Sequence, residues 1–558
     1  MKNVQKVIND SVKKIDAEVD FDIFRPDVKF GDFSTNAALV IGRKQAQDPL
    51  QIAQAIKSNI ENMQTGLFEE IEIVKPGFVN VRLKEALLHS AIKEVLEKKD
   101  EYGRNNKLVN KVVLVEYLDP NPFKEIHIGH AYSGTVGDCI ALLFEASGAK
   151  VHRVTYQGDV GLHVAKATYG ILKKIGGDPK KLTDIAESDR PKFLGETYSY
   201  GALAYDESDK AKVEINEINK KIYENSDDVI NQIHRVGVSW SMQYFEETYK
   251  LFDFTPFEKN YLEGMVAKEG LKLVKEHITD GVFEESDGAI VFRGEKFGLH
   301  TRVFINSQGL PTYDAKDLGN AALKWRDYAY DKSIIITGNE QTEYFKVMLK
   351  ALEQFSPKEA NNTTHIPHGM VVLSQGKMSS RTGDVIAALD LLNSVESSAK
   401  KMANSPDSPT KSTALAAIKY AFLKNKIGGN IVYNVNESLS LEGNSGPYLQ
   451  YSYARACSIL DKKTIDVVGD WSFDEREKNL ALRISQFPEV IDKATEELTP
   501  HLICAYLYEL AQAFNSFYEK NRVIGSDKES QRLALVEAYA CVLKKGLKLL
   551  KIPTPKHI

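Results

Sequence analysis

Val112-Val113-Leu114-Val115-Glu116, running on into Tyr117-Leu118-Asp119-Pro120-Asn121-Pro122-Phe123-Lys124-Glu125-Ile126-His127-Ile128-Gly129-His130, is the stretch that decides the fold. Four apolar β-formers in a row suit a strand buried on both faces of a parallel sheet. Two prolines around an asparagine then break the chain. From about His130 a helical pattern takes over, with Val136, Cys139, Ile140 and Leu143 on one face and a stop at Gly148. A second strand-like run, residues 151–156, follows at once. Strand, helix and strand in that order form a βαβ unit and predict a doubly wound, Rossmann-like parallel sheet.

Outward from this unit the chain divides into three. Its 558 residues leave room for three or four domains at about 150 residues each. Residues 98–107, KKDEYGRNNK, have a linker's composition and close a small α+β domain over residues 1–105. The sheet domain spans residues 106–433, with a charged helical insertion over about 165–293. The sheet pattern returns at residues 333–337, with a helix over 345–355 and a strand over 370–373. Residues 434–558 read as an all-α bundle. There Leu533, Val536, Ala540, Leu543, Leu547 and Leu550 form the stripe of a packed helix, and Lys544, Lys545, Lys548 and Lys551 fall largely on its solvated side.

Composition narrows the class. With 43% hydrophobic and 27% charged residues the chain is an ordinary globular protein, and intrinsic disorder is excluded as its main state. No run approaches the ~18 apolar residues of a membrane span. The first residues place Val4, Val7, Ile8 and Ile15 on one helical face and lack the apolar core of a secretory signal. Cys139, Cys457, Cys504 and Cys541 are scattered without a CxxC pair, so neither a disulfide framework nor a structural zinc site is expected, and a cytoplasmic home is the simplest inference. A net charge of -5 neither favours nor excludes a nucleic-acid partner, since a local basic face decides that.

Two segments carry chemistry. His127 and His130 flank Gly129 where a strand hands over to a helix, a place that favours phosphate through unpaired N–H groups and the positive helix end. Their nitrogens suit donation to phosphate oxygens as charge builds in a transition state. Gly376-Lys377-Met378-Ser379-Ser380-Arg381-Thr382-Gly383, directly after a strand, has the cations, hydroxyls and glycines of a loop that grips an anion. Exposed loops often share that composition, and the pairing with the first segment is what makes it specific.

The two segments resemble the hallmark motifs of class I aminoacyl-tRNA synthetases, and the wider chain is similar to the arginyl-tRNA synthetase family. Asp119-Pro120-Asn121 stands at that family's Ser-Pro-Asn block. Residues 31–37, GDFSTNA, and 75–80, KPGFVN, resemble its tRNA-elbow domain. Pro311-Thr312-Tyr313 and Asp317 resemble its arginine-pocket segment, and residues 442–451, EGNSGPYLQY, the opening of its anticodon-binding domain.

The resemblance implies that arginine's carboxylate attacks the α-phosphate of ATP, with Mg2+, and that the arginyl group then moves to tRNA-Arg. It also implies a need for bound tRNA in the first step. Catalytic roles fall to His127, His130, Lys124 and Lys377, with Lys124 standing in for the second-motif lysine that Ser380 replaces. ATP contacts fall to His127, Gly129, His130, Gly369, Met370, Lys377, Ser379 and Ser380. Arginine contacts fall to Glu116, Asp119, Asn121, His130, Tyr313, Asp317 and, within Asn339-Glu340-Gln341, Gln341. A guanidinium is a planar fork that demands such carboxylates.

The tRNA would meet Phe78, Asn80, Tyr448, Tyr451 and Tyr518, although tyrosines on amphipathic helices serve equally well as core. No resident metal site, no membrane and a monomer are expected. The ending Pro555-Lys556-His557-Ile558 departs from the family's Pro-Glu-Arg-Met. A synthetase for another amino acid would leave Glu116 and Asp317 unpaired, and a non-catalytic RNA-binding relative would not need both motifs.

Overall fold

The computed structural model describes residues 2–374, 386–403, 405–461 and 471–557. The amino-terminal part runs through α1 (Lys2–Lys13), β1 (Ile23–Phe24), β2 (Phe33–Thr35), α2 (Ala37–Gln45), α3 (Pro49–Asn62), β3 (Phe68–Val74) and β4 (Phe78–Leu83). Its strands form an antiparallel sheet in the order β1-β2-β4-β3. Val4, Ile8 and Val12 recur every four residues and are buried, which lays one face of α1 on the core. α4 (Glu85–Lys98) then leads to the parallel sheet.

That sheet begins with β5 (Val112–Glu116), α5 (Ile128–Ala146) and β6 (Lys150–Gln157). Four helices follow, α6 (Leu162–Ile175), α7 (Arg190–Glu207), α8 (Asp209–Glu224) and α9 (Asp228–Leu251), then β7 (Lys259–Leu262) and α10 (Glu263–Glu276). A small antiparallel sheet of β8 (Glu284–Ser286), β9 (Ala289–Phe292) and β10 (Arg302–Ile305) precedes α11 (Tyr313–Tyr328) and β11 (Lys332–Gly338). α12 (Thr342–Phe355), α13 (Pro357–Asn362) and β12 (Thr363–His368) complete the domain.

The strand order is β12-β11-β5-β6-β7, every neighbour parallel. The winding reverses between β5 and β11. In such sheets ligands bind outside the carboxyl ends of the strands at this switch point, and α5 starts there.

Two expectations are corrected. β7 lies inside the interval read as an insertion, 165–293, yet it joins the parallel sheet. Its sequence, KNYL, is a short polar edge strand, and edges need no apolar run. The strand expected at 370–373 appears as β13 (Val371–Leu373), but it pairs with β14 (Ile431–Tyr433) and not with the main sheet. The chain leaves the sheet at Gly369, whose backbone lies against the carbonyl of Gly429 so closely that a Cβ has no room.

α14 (Ala388–Met402), α15 (Thr410–Leu423) and α16 (Val435–Ser438) connect to the bundle of α17 (Gly446–Leu460), α18 (Glu475–Glu497), α19 (His501–Lys520) and α20 (Glu529–Leu549). The leucine stripe of α20 is buried as its period requires. Lys545 is not merely solvated: its Nζ donates to the Asp100 carbonyl at 2.7 Å, and α4 packs on α18 and α20. Among the described residues no helix is long and apolar enough to cross a membrane.

Candidate active site

The loop after β5 is strained and held open by hydroxyls. Leu118, Asp119 and Phe123 have positive φ of 78°, 45° and 66°, a conformation costing a non-glycine residue about 1–3 kcal/mol. Each of their N–H groups finds a side-chain oxygen. Leu118 N donates to Ser133 Oγ of α5 at 3.1 Å, Asp119 N to Thr155 Oγ1 of β6 at 3.3 Å, and Phe123 N to Ser241 Oγ of α9 at 2.9 Å. Three elements remote in sequence therefore shape this turn.

The loop ends in a cap made by the two histidines. His127 is the N-cap of α5, and its Nδ1 accepts from the backbone N–H of Gly129 at 3.1 Å and of His130 at 3.4 Å. His130 Nδ1 accepts in return from His127 N at 3.2 Å, and the rings stack with centroids 3.6 Å apart. Ile128 N donates to the Ile386 carbonyl at 2.9 Å. The expectation of unpaired helix N–H groups for phosphate is thus corrected, because the first three are taken. What the cap offers instead is chemistry at the far ring nitrogen: with both Nδ1 atoms accepting, a neutral imidazole carries its proton on Nε2. A Cβ on Gly129 would come within 3.0 Å of His127 Cε1, so the missing side chain makes room for the capping ring itself.

Both imidazoles are kept neutral. Burial, with His368 and Lys124 nearby, pushes His127 down to about 4. Burial and the neighbouring His127, His368 and Lys124 push His130 well below the usual imidazole range. His163 of α6, which donates Nε2–H to the Gly158 carbonyl at 2.8 Å, is lowered to about 4 by burial and by Lys124. Lys124 lies within electrostatic reach of all three neutral rings, and its Nζ rests 4.6 Å over the ring of Tyr198 on α7. Sequence reading missed His163, His368 and Tyr198, and nothing in their local pattern marks them.

Residues 386–388, which follow the second motif in sequence, meet the first motif. Ile386 and Ala388 hydrogen bond to Ile128 and Ile126, with His127 and Ala387 paired as an antiparallel bridge. Lys377, Ser379 and Ser380 lie outside the described residues. Met370 is largely exposed, and its N–H donates to Asn430 Oδ1 at 2.9 Å.

The acidic residues sort into two kinds. Asp317, on the α11 face toward α12, accepts the hydroxyl of Tyr344, and burial together with Glu116 pushes its carboxyl up to about 7. α11 reaches that depth because Gly270 and Gly319 let it touch α10 backbone to backbone, where a Cβ on either would overlap a carbonyl. Glu116 is a correction: 3% exposed, its Oε2 accepts from Lys324 Nζ at 2.8 Å and Asn320 Nδ2 at 3.0 Å, so its charge is already matched. Asp119 and Asn121 also work on the protein, Asp119 Oδ1 taking Tyr156 N at 2.8 Å and Asn121 Oδ1 taking Gly158 N at 3.2 Å. Tyr313 is exposed one turn before Asp317, its ring 5.0 Å under Lys316 Nζ, and Gln341 is exposed at the start of α12.

In the helical bundle Tyr451 and Tyr518, each 40% exposed, flank Arg455, whose guanidinium lies 4.9 Å and 5.5 Å from their rings. Sequence reading missed Arg455. Tyr448 is half-buried, its hydroxyl accepting from Asn515 at 2.8 Å. In the small domain Phe78 is edge-on to Phe24. Asn80 is a correction, since at 4% exposed it accepts the Ser34 hydroxyl at 2.7 Å and ties β4 to β2.

A doubly wound sheet whose first strand ends in a histidine-capped helix at the switch point, with residues 386–388 laid against that cap, defines a class I aminoacyl-tRNA synthetase core. Comparison with known proteins agrees along the whole chain. Residues 2–83 match the arginyl tRNA synthetase N terminal domain, residues 91–435 the class I (R) tRNA synthetase catalytic domain, and residues 449–558 the DALR anticodon binding domain. The chain is 31% identical over 528 residues to the arginine–tRNA ligase of Borreliella afzelii (strain PKo), covering 90% of this chain and 88% of that one. In fold it is similar to the arginyl-tRNA synthetases of Thermus thermophilus (TM-score 0.83, 23% identity, 100% of both chains) and Plasmodium falciparum (TM-score 0.82, 23% identity, 100% of this chain and 99% of that one). The chain belongs to the arginyl-tRNA synthetase family.

Proposed function

We propose that the chain joins L-arginine to tRNA-Arg in two steps carried by this site. An arginine carboxylate oxygen attacks the α-phosphorus of ATP, the bond to the β-phosphate oxygen breaks, and pyrophosphate leaves with the electron pair. A hydroxyl of the tRNA's terminal ribose then attacks the arginyl carbonyl and AMP departs. The observation that carries the reading is the reciprocal histidine cap. It leaves two neutral Nε2–H donors at the positive end of α5, beside Lys124, where charge develops on the phosphate oxygens. Preorganised donors of this kind need no rearrangement as the reaction proceeds.

Asp317 supplies the counter-charge for the guanidinium. ATP is the nucleotide substrate. No three metal-ligating side chains converge among the described residues, so no protein cage for Mg2+ is assigned; the ion would travel with the triphosphate. A cytoplasmic monomer goes with the reading, supported by four free cysteines and by one chain that holds nucleotide, amino-acid and RNA regions. The direct test is aminoacylation of total tRNA with each of the twenty labelled amino acids. Incorporation of arginine alone is expected, and incorporation of another amino acid in its place overturns the reading.

Two further outcomes are expected. Lys124→Ala lowers kcat by a charge-assisted contact, about 1.5–3 kcal/mol, with little change in the KM for arginine. Adding Ser380→Lys restores part of the rate, and a normal single-turnover rate in Lys124→Ala would remove the lysine from the chemistry. Tyr451→Ala raises the KM for tRNA by the loss of one base–aromatic stack, about 1–3 kcal/mol, and leaves the melting temperature unchanged because the ring is half outside. A fall in melting temperature without a change in that KM assigns the ring to the core instead.

A further inference from the structure

β6 carries a tyrosine that the site has not yet used. Tyr156 lies at the carboxyl edge of the sheet, its N–H pinned to Asp119 Oδ1 at 2.8 Å. Val154 is the register partner of Glu116, so Tyr156, two residues on, shares the sheet face from which Glu116 reaches Asn320 and Lys324 of α11. Asp317 stands one turn before Asn320 on that helix. The phenol oxygen of Tyr156 is buried and has no hydrogen-bond partner among the described residues. An orphaned hydroxyl in a folded core asks for a reason, and its surroundings supply one: burial, and the nearness of Asp317, Glu263, Tyr344 and Glu116, hold the phenol protonated.

Resting on the arginine-ligation reading, we propose that Tyr156 is a binding residue for the substrate's guanidinium, its oxygen accepting one N–H of the fork. Counting acceptors makes the case. A guanidinium brings five N–H donors. Asp317 Oδ2 is already engaged by Tyr344, and Glu116 Oε2 by Lys324 and Asn320. With the Glu116 charge matched by the protein, Asp317 Oδ1 is the carboxylate oxygen left for the fork and cannot serve five donors, and a neutral phenol beside it accepts an N–H while turning its own proton to a carboxylate. A pocket built this way disfavours any side chain that leaves the phenol unmatched.

Tyr156→Phe removes only the oxygen and tests this. Aminoacylation by the full-length protein is measured for the KM of arginine, the KM of ATP and kcat. Competitive inhibition is measured with agmatine, which keeps the guanidinium and lacks the carboxylate. The expected result is a rise of about tenfold, equal to about 1.4 kcal/mol, in both the arginine KM and the agmatine inhibition constant, with the ATP KM unchanged. An unchanged arginine KM overturns the proposal. So does a raised arginine KM with unchanged agmatine inhibition, which moves the hydroxyl to the carboxylate end of the substrate. Both constants are read on the folded enzyme, so partial unfolding of the variant does not imitate the effect. Failure of the unaltered chain to charge arginine is a separate outcome that strikes the functional reading.

Discussion

Asp317→Asn is expected to raise the KM for arginine by the cost of unpairing a desolvated charge, about 2–5 kcal/mol, while the KM for ATP holds. The amide keeps the shape and the Tyr344 contact but cannot match a cation. The pH dependence follows from the same carboxyl. Burial and Glu116 lift it from 3.8 to about 7, so the folded protein keeps a proton that the unfolded chain has already lost. Stability from this group is therefore greatest below 3.8 and declines as pH rises through that interval, and bound arginine offsets the decline because it favours the carboxylate. The arginine KM should fall as pH rises across about 7, and Asp317→Asn should flatten that profile. Steady-state aminoacylation at a series of pH values checks both, and an arginine KM equal to that of the unaltered chain would sink the assignment.

His127→Asn and His130→Ala are expected to cut the rate of adenylate formation by the worth of one preorganised donor, about 10²–10³-fold, with modest changes in either KM. The asparagine separates two jobs of His127. Asn is a good N-cap, so α5 should keep its stability while the Nε2–H is lost. A variant that melts normally and reacts slowly assigns the ring to the chemistry, whereas one that melts early and reacts at full rate per folded molecule leaves it only the cap. Since burial lowers His127 to about 4 and holds His130 well below the usual imidazole range, both rings stay neutral at physiological pH. Pyrophosphate exchange with tRNA present should show no rate change from these groups near neutrality, and a loss only as acid approaches about 4.

By itself the sequence determined the order of strand, helix and strand around the first motif, the three-part organisation, and the two motifs that mark the family. These are local. Val112 to Val115 is apolar because β5 is covered on both faces, and the stripe on α20 repeats because one side of that helix is buried. Such periods are written along the chain. Asp317 and the two histidines each sit inside a short recognisable segment, which is why the sequence singled them out.

Only the tertiary structure decided which atoms are free to act. His127 and His130 were visible as residues, but which nitrogen faces outward depends on a ring folding back onto its own helix start. Glu116 looked like a ligand for arginine until Lys324, 208 residues away, was found holding it. Ser133, Thr155 and Ser241, which steady the strained loop, and Tyr156, with its unmatched hydroxyl, sit in sequence surroundings that mark none of them. A hydrogen bond between two distant side chains needs only that the fold bring them within about 3 Å. That constraint acts on single residues at unrelated positions, so it leaves no period, no spacing and no composition for a reader of the sequence to find.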